Sequence, residues 1–326
     1  MTELVVTETQ PTPAPPPRTG ARHRADPSVS SSTATTRAER RRAESSSTSS
    51  WRLSAAVALN LCLVAVWFLA YVFGISALQE ARDQRVLYND FRGTLAAGIA
   101  PVGGVIAPGT PVALISAPAA GIDDLVVVEG TASGDLLSGP GHLRNIPLPG
   151  QAGASVLMGR GAAAGAPFEG ITSLSPGDPI QVTNGQGEFT YEVLDVRRAG
   201  DPLPPTLAEG SSRLVLVTSE GGGWRKGLST SGVVYVDADL KAGKVQPTPA
   251  GRPIAVPDAE LPMQGDPGAW IPLLVWLQIG VYAAVGLWFF HRRLGRWRTW
   301  LIAAPIALAV AWGASAAALQ LLPNLL

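Results

Sequence analysis

Attack on a carbonyl needs a thiolate or an activated hydroxyl, so the cysteine, the histidines and the candidate serines come first. The chain has one cysteine, Cys62, and it lies in an uncharged apolar run at 53–79 where a polar substrate has no access. Between residues 80 and 266 there is a single histidine, His142. Ser219, followed by EGGG, is a serine at the end of a strand-like run. Its hydroxyl is a poor nucleophile unless a base removes its proton, and His142 is the one imidazole available to pair with it. The plainer reading makes Ser219 a strand-end residue opening a turn. Arg160 cannot replace the base, since a guanidinium stays protonated. Asp123, Asp124 and Glu129 are acids near a turn, without metal-ligand spacing, so no metal and no cofactor is expected.

The elements around these residues are short. Runs rich in Val, Ile and Tyr at 111–116, 124–129, 155–159, 179–183, 188–197, 213–218 and 232–237 alternate with Gly, Pro, Asn and Asp turns. Asn-Gly-Gln-Gly at 184–187 is a hairpin signal. Only short helices fit between, near 132–137 and 168–173. Seven or eight such strands predict a mainly β barrel or sandwich. Upstream, 79–95 carries Val86, Leu87, Phe91 and Leu95 at helical spacing and predicts a stalk. Downstream, 241–266 is a proline-rich linker.

Charge is sorted along the chain. Residues 1–52 sum to +3, 80–266 to −7 and 291–298 to +4, for a net charge of zero. Basic charge flanks apolar runs and acid fills the centre, so no nucleic-acid partner is expected. The apolar runs at 53–79, 267–290 and 299–326 each exceed the roughly 20 helical residues that cross a bilayer. Trp51, Trp270, Trp297 and Trp300 stand at their ends, as in an interfacial belt. Arginines 37, 40, 41, 42 and 52 precede the first run, and arginines 292, 293, 296 and 298 fill the loop between the last two. Both clusters belong in the cytoplasm, which puts the central domain and the short stretch after the last span outside. The sequence thus divides into a disordered cytoplasmic tail (1–50), a first span (51–79), a stalk helix and linker (80–110), the β domain (111–240), the Pro-rich linker (241–266), a second span (267–290), a basic loop (291–298) and a third span (299–326). Small residues four apart, Ala70/Gly74, Gly280/Ala284 and Ala309/Gly313/Ala317, let helices approach closely, among themselves or with a membrane-protein partner.

The run VVVEGTASGDLLSGPGHLRNIPLPGQAGASVLMGRGAAAGAPF at 126–168 resembles the sortase β-barrel family, most closely its actinobacterial class E-like members. Those read VVVEGT…GPGH…PLPGQ…AGH…GAPF in the same order and spacing. The resemblance covers about 111–239 and implies a closed sortase-like barrel of seven or eight strands; the apolar runs and arginine clusters make it extracytoplasmic, with one transmembrane helix before it and two after. It also implies where catalytic groups would stand. The family's histidine falls on Arg160, its cysteine on Ser219, and its arginine on Ser231 or, one step on, Gly232. None of the three is intact.

A degenerate, catalytically inactive sortase-like membrane protein is therefore expected, holding a surface polypeptide, a wall polymer or an assembly partner outside the cell membrane. The alternative is an unusual transpeptidase or hydrolase that uses Ser219, with Arg160, Arg225 or Lys226 as the cation. Arg160, Ser219, Arg225 and Lys226 are the candidate ligand-binding residues, suited to a carboxylate or phosphate. A salt bridge from Arg160 to Glu220 or Glu169 is the competing expectation. The arginine-rich, lysine-poor composition (22 Arg, 3 Lys) fits a high-GC, actinobacterial source.

Overall fold

A computed structural model describes residues 51–326 apart from 53, 199, 221–231 and 295. The disordered tail expected at 1–50 lies outside the described residues. Eight strands form a closed barrel: β1 (Pro111–Ala117), β2 (Ile122–Glu129), β3 (Gly141–His142), β4 (Gly153–Met158), β5 (Pro179–Asn184), β6 (Gly187–Arg198), β7 (Ser212–Ser219) and β8 (Val233–Ala242). Their order around the wall is β1-β2-β3-β4-β7-β8-β6-β5, with β5 closing on β1. The β2/β3 and β4/β7 pairs are parallel and the rest antiparallel. Closure removes free sheet edges, which suits a small all-β domain.

Seven strands agree with the sequence pattern to within a few residues, and the β5–β6 hairpin turns at Gly185-Gln186 as the Asn-Gly-Gln-Gly run predicts. The two-residue β3 was not expected. It lies inside GPGH, where period-two alternation cannot show in so short a piece. Gly141 is required there, because a Cβ would sit 1.9 Å from the Gly130 carbonyl oxygen.

The motif residues that carry the resemblance are largely structural. His142 Nδ1 lies 2.8 Å from Glu129 Oε2, and its Nε2 lies 2.9 Å from the Pro147 carbonyl oxygen. The imidazole thus ties GPGH to PLPGQ. Gly150 N donates to Tyr191 Oη at 2.6 Å, and the tyrosine reaches Ser212 Oγ at 3.0 Å, so the PLPGQ turn caps one end of the barrel. The interior is filled by alternate residues, among them Ile115, Val127, Leu157, Ile180, Leu214, Leu216 and Val236.

Helix α1 (Ser54–Ala96) carries a π-helical turn at Tyr71–Ile75. Its second half is no free stalk. Phe91 is fully buried, and Gln84 accepts from Val126 N at 2.8 Å while donating to Val126 O and Ser138 O. Val126 precedes the short β3 ladder, so a side-chain amide satisfies backbone that a neighbouring strand would otherwise pair. The proline-rich linker is likewise laid along the barrel. Arg144 pairs with Glu260, Thr131 Oγ1 donates to the Glu260 carbonyl at 2.7 Å, and Arg252 Nη2 reaches Gln151 Oε1 at 2.9 Å.

Helices α2 (Trp270–Leu294) and α3 (Arg296–Gln320) follow, and with α1 they are long and apolar enough to cross a membrane. Ile271 and Trp300 remain 72% and 65% exposed, as lipid-facing side chains would. Small residues pack the α2–α3 pair. A Cβ on Gly313 would overlap the Trp276 ring, and one on Gly280 would touch Val310. The third apolar run, expected to span 299–326, is helical only to Gln320. Pro323 restricts Leu322 to extended backbone, and the chain folds back onto the barrel.

Burial, then the nearby Glu260 carboxylate, pushes Asp135 up to about 6 from its ordinary 3.8. The folded chain holds this proton more tightly than the unfolded chain, so stability is lost as pH rises through that interval. Asp135→Asn keeps the acceptor facing Ala132 and should raise the thermal midpoint near pH 7.5. Little change is expected near pH 4, where Asp135 is itself largely protonated. Equal shifts at both pH values in a thermal scan would contradict this.

Candidate functional site

Strands β4 and β7 run parallel in register, with Met158 beside Val217. The ladder continues past the end of β4, where Gly159 N donates to Val217 O at 3.0 Å and Thr218 Oγ1 donates to Gly159 O at 2.9 Å. Arg160 and Gly161 therefore leave the sheet at the same end as Ser219. A Cβ on Gly161 would lie 2.8 Å from the Ser219 carbonyl oxygen and 3.0 Å from its Oγ. Leu157, Leu214 and Leu216 face the barrel core, whereas Met158, Val215 and Val217 face outward and, with Leu136, floor a groove.

The groove holds a peptide segment of the same chain. Leu325, completely buried, packs on Leu136, Met158, Val215 and Val217. Its carbonyl oxygen accepts from Ser219 Oγ at 2.7 Å and from Gly161 N at 2.9 Å. The Leu326 oxygen accepts from Ala163 N at 3.0 Å. Asn324 donates through Nδ2 to the Thr131 and Leu261 carbonyls at 2.8 and 3.0 Å, and its N donates to Gln264 O at 2.8 Å. Ser133 Oγ donates to Leu322 O at 3.1 Å.

Arg160 stands behind this contact. Its side chain is fully buried, and Nη2 donates to Ser133 O at 2.9 Å and to Ser133 Oγ at 2.8 Å. Among the described residues, Nε and Nη1 have no hydrogen-bond partner. Burial lowers the guanidinium to about 10, which leaves it charged at neutral pH. The expected salt bridge to Glu220 does not form. Glu220 pairs with Arg198 at 2.8 Å, an exposed partner that costs less to bring together.

Ser219 and Arg160 thus lie at one end of one groove. Arg225, Lys226 and Ser231 lie outside the described residues. Gly232 is described, and its carbonyl accepts from Glu220 N at 2.8 Å. His142 does not pair with Ser219, since both its nitrogens are engaged by Glu129 and Pro147. Ser219 Oγ is a donor to a carbonyl oxygen, whereas an attacking serine directs a lone pair at the carbonyl carbon and gives its proton to a base. In this structure the two donors hold the carbonyl of the chain's own Leu325.

Among the described residues no group of three acids, histidines or cysteines could hold a metal ion. Asp124 is engaged with Ser116, and Glu129 with His142. Sequence reasoning missed Ser133, Gly161 and the Leu322–Leu326 segment. The Pro323-Asn324 pair near the end of the last apolar run is the local signal that the chain leaves the helix there, whereas Pro305 is accommodated within it.

Residues 115–222 match the family model for the sortase domain. Sortase D of Bacillus subtilis (strain 168) is 32% identical over 97 residues, 29% of this chain and 48% of that protein. The chain therefore spans about half the length of this curated relative. Among solved structures, a sortase transpeptidase from Clostridium perfringens is similar at 19% identity and a TM-score of 0.40, over 49% of this chain and 99% of that one. A sortase E variant from Streptomyces avermitilis is 28% identical, with a TM-score of 0.35, over 42% and 91%. The family match runs from β1 past the end of β7 and so takes in both strands that end at the groove. Similarity to sortases is thus located in this barrel domain, over residues 115–222.

Proposed function

We propose that this protein is a membrane-anchored, sortase-like binding protein that does not carry out transpeptidation, and that its groove holds an extended polypeptide at the outer face of the cell membrane. A wall polymer or an assembly partner is the wider class in which that ligand falls. One observation carries the reading: a peptide carbonyl is bound in the groove by Ser219 Oγ and Gly161 N, at 2.7 and 2.9 Å. Two donors on one carbonyl stabilise a bound peptide. Without a base at Ser219 they do not cleave it.

Arg160, the buried cation of the site, supports Ser133 through Nη2, and its Nε and Nη1 have no hydrogen-bond partner among the described residues. A buried charge without a counter-ion is costly. Its retention fits a group that meets a carboxylate, phosphate or carbonyl of a ligand. The competing reading, an unusual transpeptidase or hydrolase acting through Ser219, requires a proton acceptor that no described residue supplies at its Oγ.

The arginine clusters flanking the spans support the orientation, since cytoplasmic loops gather Lys and Arg. A three-span chain with both clusters inside carries its barrel outside.

Two measurements test this reading. The chain with and without residues 322–326, and the same pair carrying Ser219→Ala, is incubated with a sorting-signal peptide and an amine. No ligated or hydrolysed product above background is expected from any of the four. Turnover that disappears with Ser219→Ala would establish the enzyme instead. For orientation, in a Cys62→Ser background on intact cells with wall access, Ser173→Cys should react with an impermeant maleimide and Leu294→Cys should not. Labelling at 294 alone would reverse the topology and remove any surface role.

A further inference from the structure

The Leu322–Leu326 segment emerges directly from α3 and is met by donors and apolar side chains from several elements. Its backbone oxygens at 322, 325 and 326 each meet a donor, Ser133 Oγ, the Ser219 Oγ and Gly161 N pair, and Ala163 N respectively. Leu325 fills the apolar floor, and Asn324 N and Nδ2 both donate to backbone carbonyls. The linker runs alongside. Asp266 N donates to Gln320 O at 2.9 Å, and a Cβ on Gly265 would lie 2.3 Å from the Leu321 carbonyl oxygen, so only glycine permits that approach. The contacts come from four separate parts of the chain, around 131–133, 161–163, 219 and 261–266. A casual surface contact recruits no such set.

We propose that Leu322–Leu326 is a tethered ligand of the groove: it occupies in cis the site that an extended Leu-Pro-Asn-Leu-type polypeptide takes in trans, and the groove opens only when this segment withdraws. The inference rests on the reading of the groove as a peptide-binding site and adds the class of ligand and the means of its control. The ligand is a polypeptide segment with a leucine side chain for the floor formed by Met158, Val215 and Val217. One residue before it, a side-chain amide meets the Thr131 and Leu261 carbonyls, and the leucine's own carbonyl meets Ser219 and Gly161. A tethered ligand acts at an effective concentration on the order of millimolar. A free peptide of equal intrinsic affinity in the micromolar range is therefore excluded until the tether leaves. Because the segment follows α3 without a spacer, a shift of that helix against the barrel would withdraw it.

The test uses the full chain in detergent micelles and a fluorescein-labelled, amide-capped peptide Leu-Leu-Pro-Asn-Leu-Leu, the sequence of residues 321–326. Removal of residues 322–326 should raise its affinity, read by fluorescence polarisation, by at least about tenfold over the intact chain. Leu325→Asp, which keeps the chain length, should do the same. Ser133→Ala in the shortened chain should weaken binding again, and thermal midpoints verify that each barrel is folded. Equal affinity for intact and shortened chains would overturn self-occupation. A folded shortened chain that ignores the peptide would overturn the ligand class. If such a chain nevertheless crosslinks a surface polypeptide in cells from a probe in the groove, the binding function stands and only this inference falls. If it crosslinks nothing, both fall.

Discussion

The Leu325 carbonyl, held between Ser219 Oγ and Gly161 N, is the interaction on which the rest of the site depends. It can form only because β4 and β7 are parallel and in register, so that the residues beyond Met158 and Val217 emerge together. It also requires glycine at 161, where any side chain would strike Ser219. Behind it, Arg160 fixes Ser133, and Ser133 fixes Leu322. The buried guanidinium thus acts on the segment through a serine and has no direct bond to it. A charge-assisted hydrogen bond of this kind is stronger than a neutral one and orients its acceptor.

The same groove joins the barrel to the membrane helices. Gly313 and Gly280 set the close packing of α2 on α3, and α3, ending at Gln320, delivers Leu322 to Ser133 and, three residues on, Leu325 to the groove floor. Trp67 Nε1 bonds to Ser315 Oγ at 3.2 Å, and Tyr71 lies edge-on to Trp312 at 5.8 Å, so α1 packs on α3 just below. Ser76, which follows the π-helical turn, accepts from Ala164 N at 3.2 Å, next to the residue that holds Leu326. Helix packing and groove occupancy are mechanically continuous.

Much of this was legible in the sequence. Alternating Val and Ile runs gave the strands because a half-buried pleat shows its period directly, and uncharged runs of membrane-spanning length gave the helices. The positions of Arg160 and Ser219 came from the family resemblance, and parallel registry brings them together. What stayed hidden depended on tertiary partners. Strand β3 is two residues within a glycine-rich motif. The helix at 79–95 carries the right apolar spacing, yet nothing local tells that Gln84 will complete the edge of β2. Residues 322–326 read as the tail of an apolar span because hydropathy cannot distinguish a leucine in lipid from one on a barrel wall. Ser133 and Gly161 are small residues whose roles exist only once the groove is formed.

Amide hydrogen exchange in the membrane-reconstituted chain measures the central contact without any ligand. Gly161 N and Ala163 N donate to Leu325 and Leu326, so both amides should be protected in the intact chain. Removing residues 322–326 should speed their exchange by at least about tenfold, while the Phe168 amide, bonded to Arg160 O, stays slow. Rapid exchange at 161 and 163 in the intact chain, or unchanged protection after the removal, would contradict a groove held by its own chain.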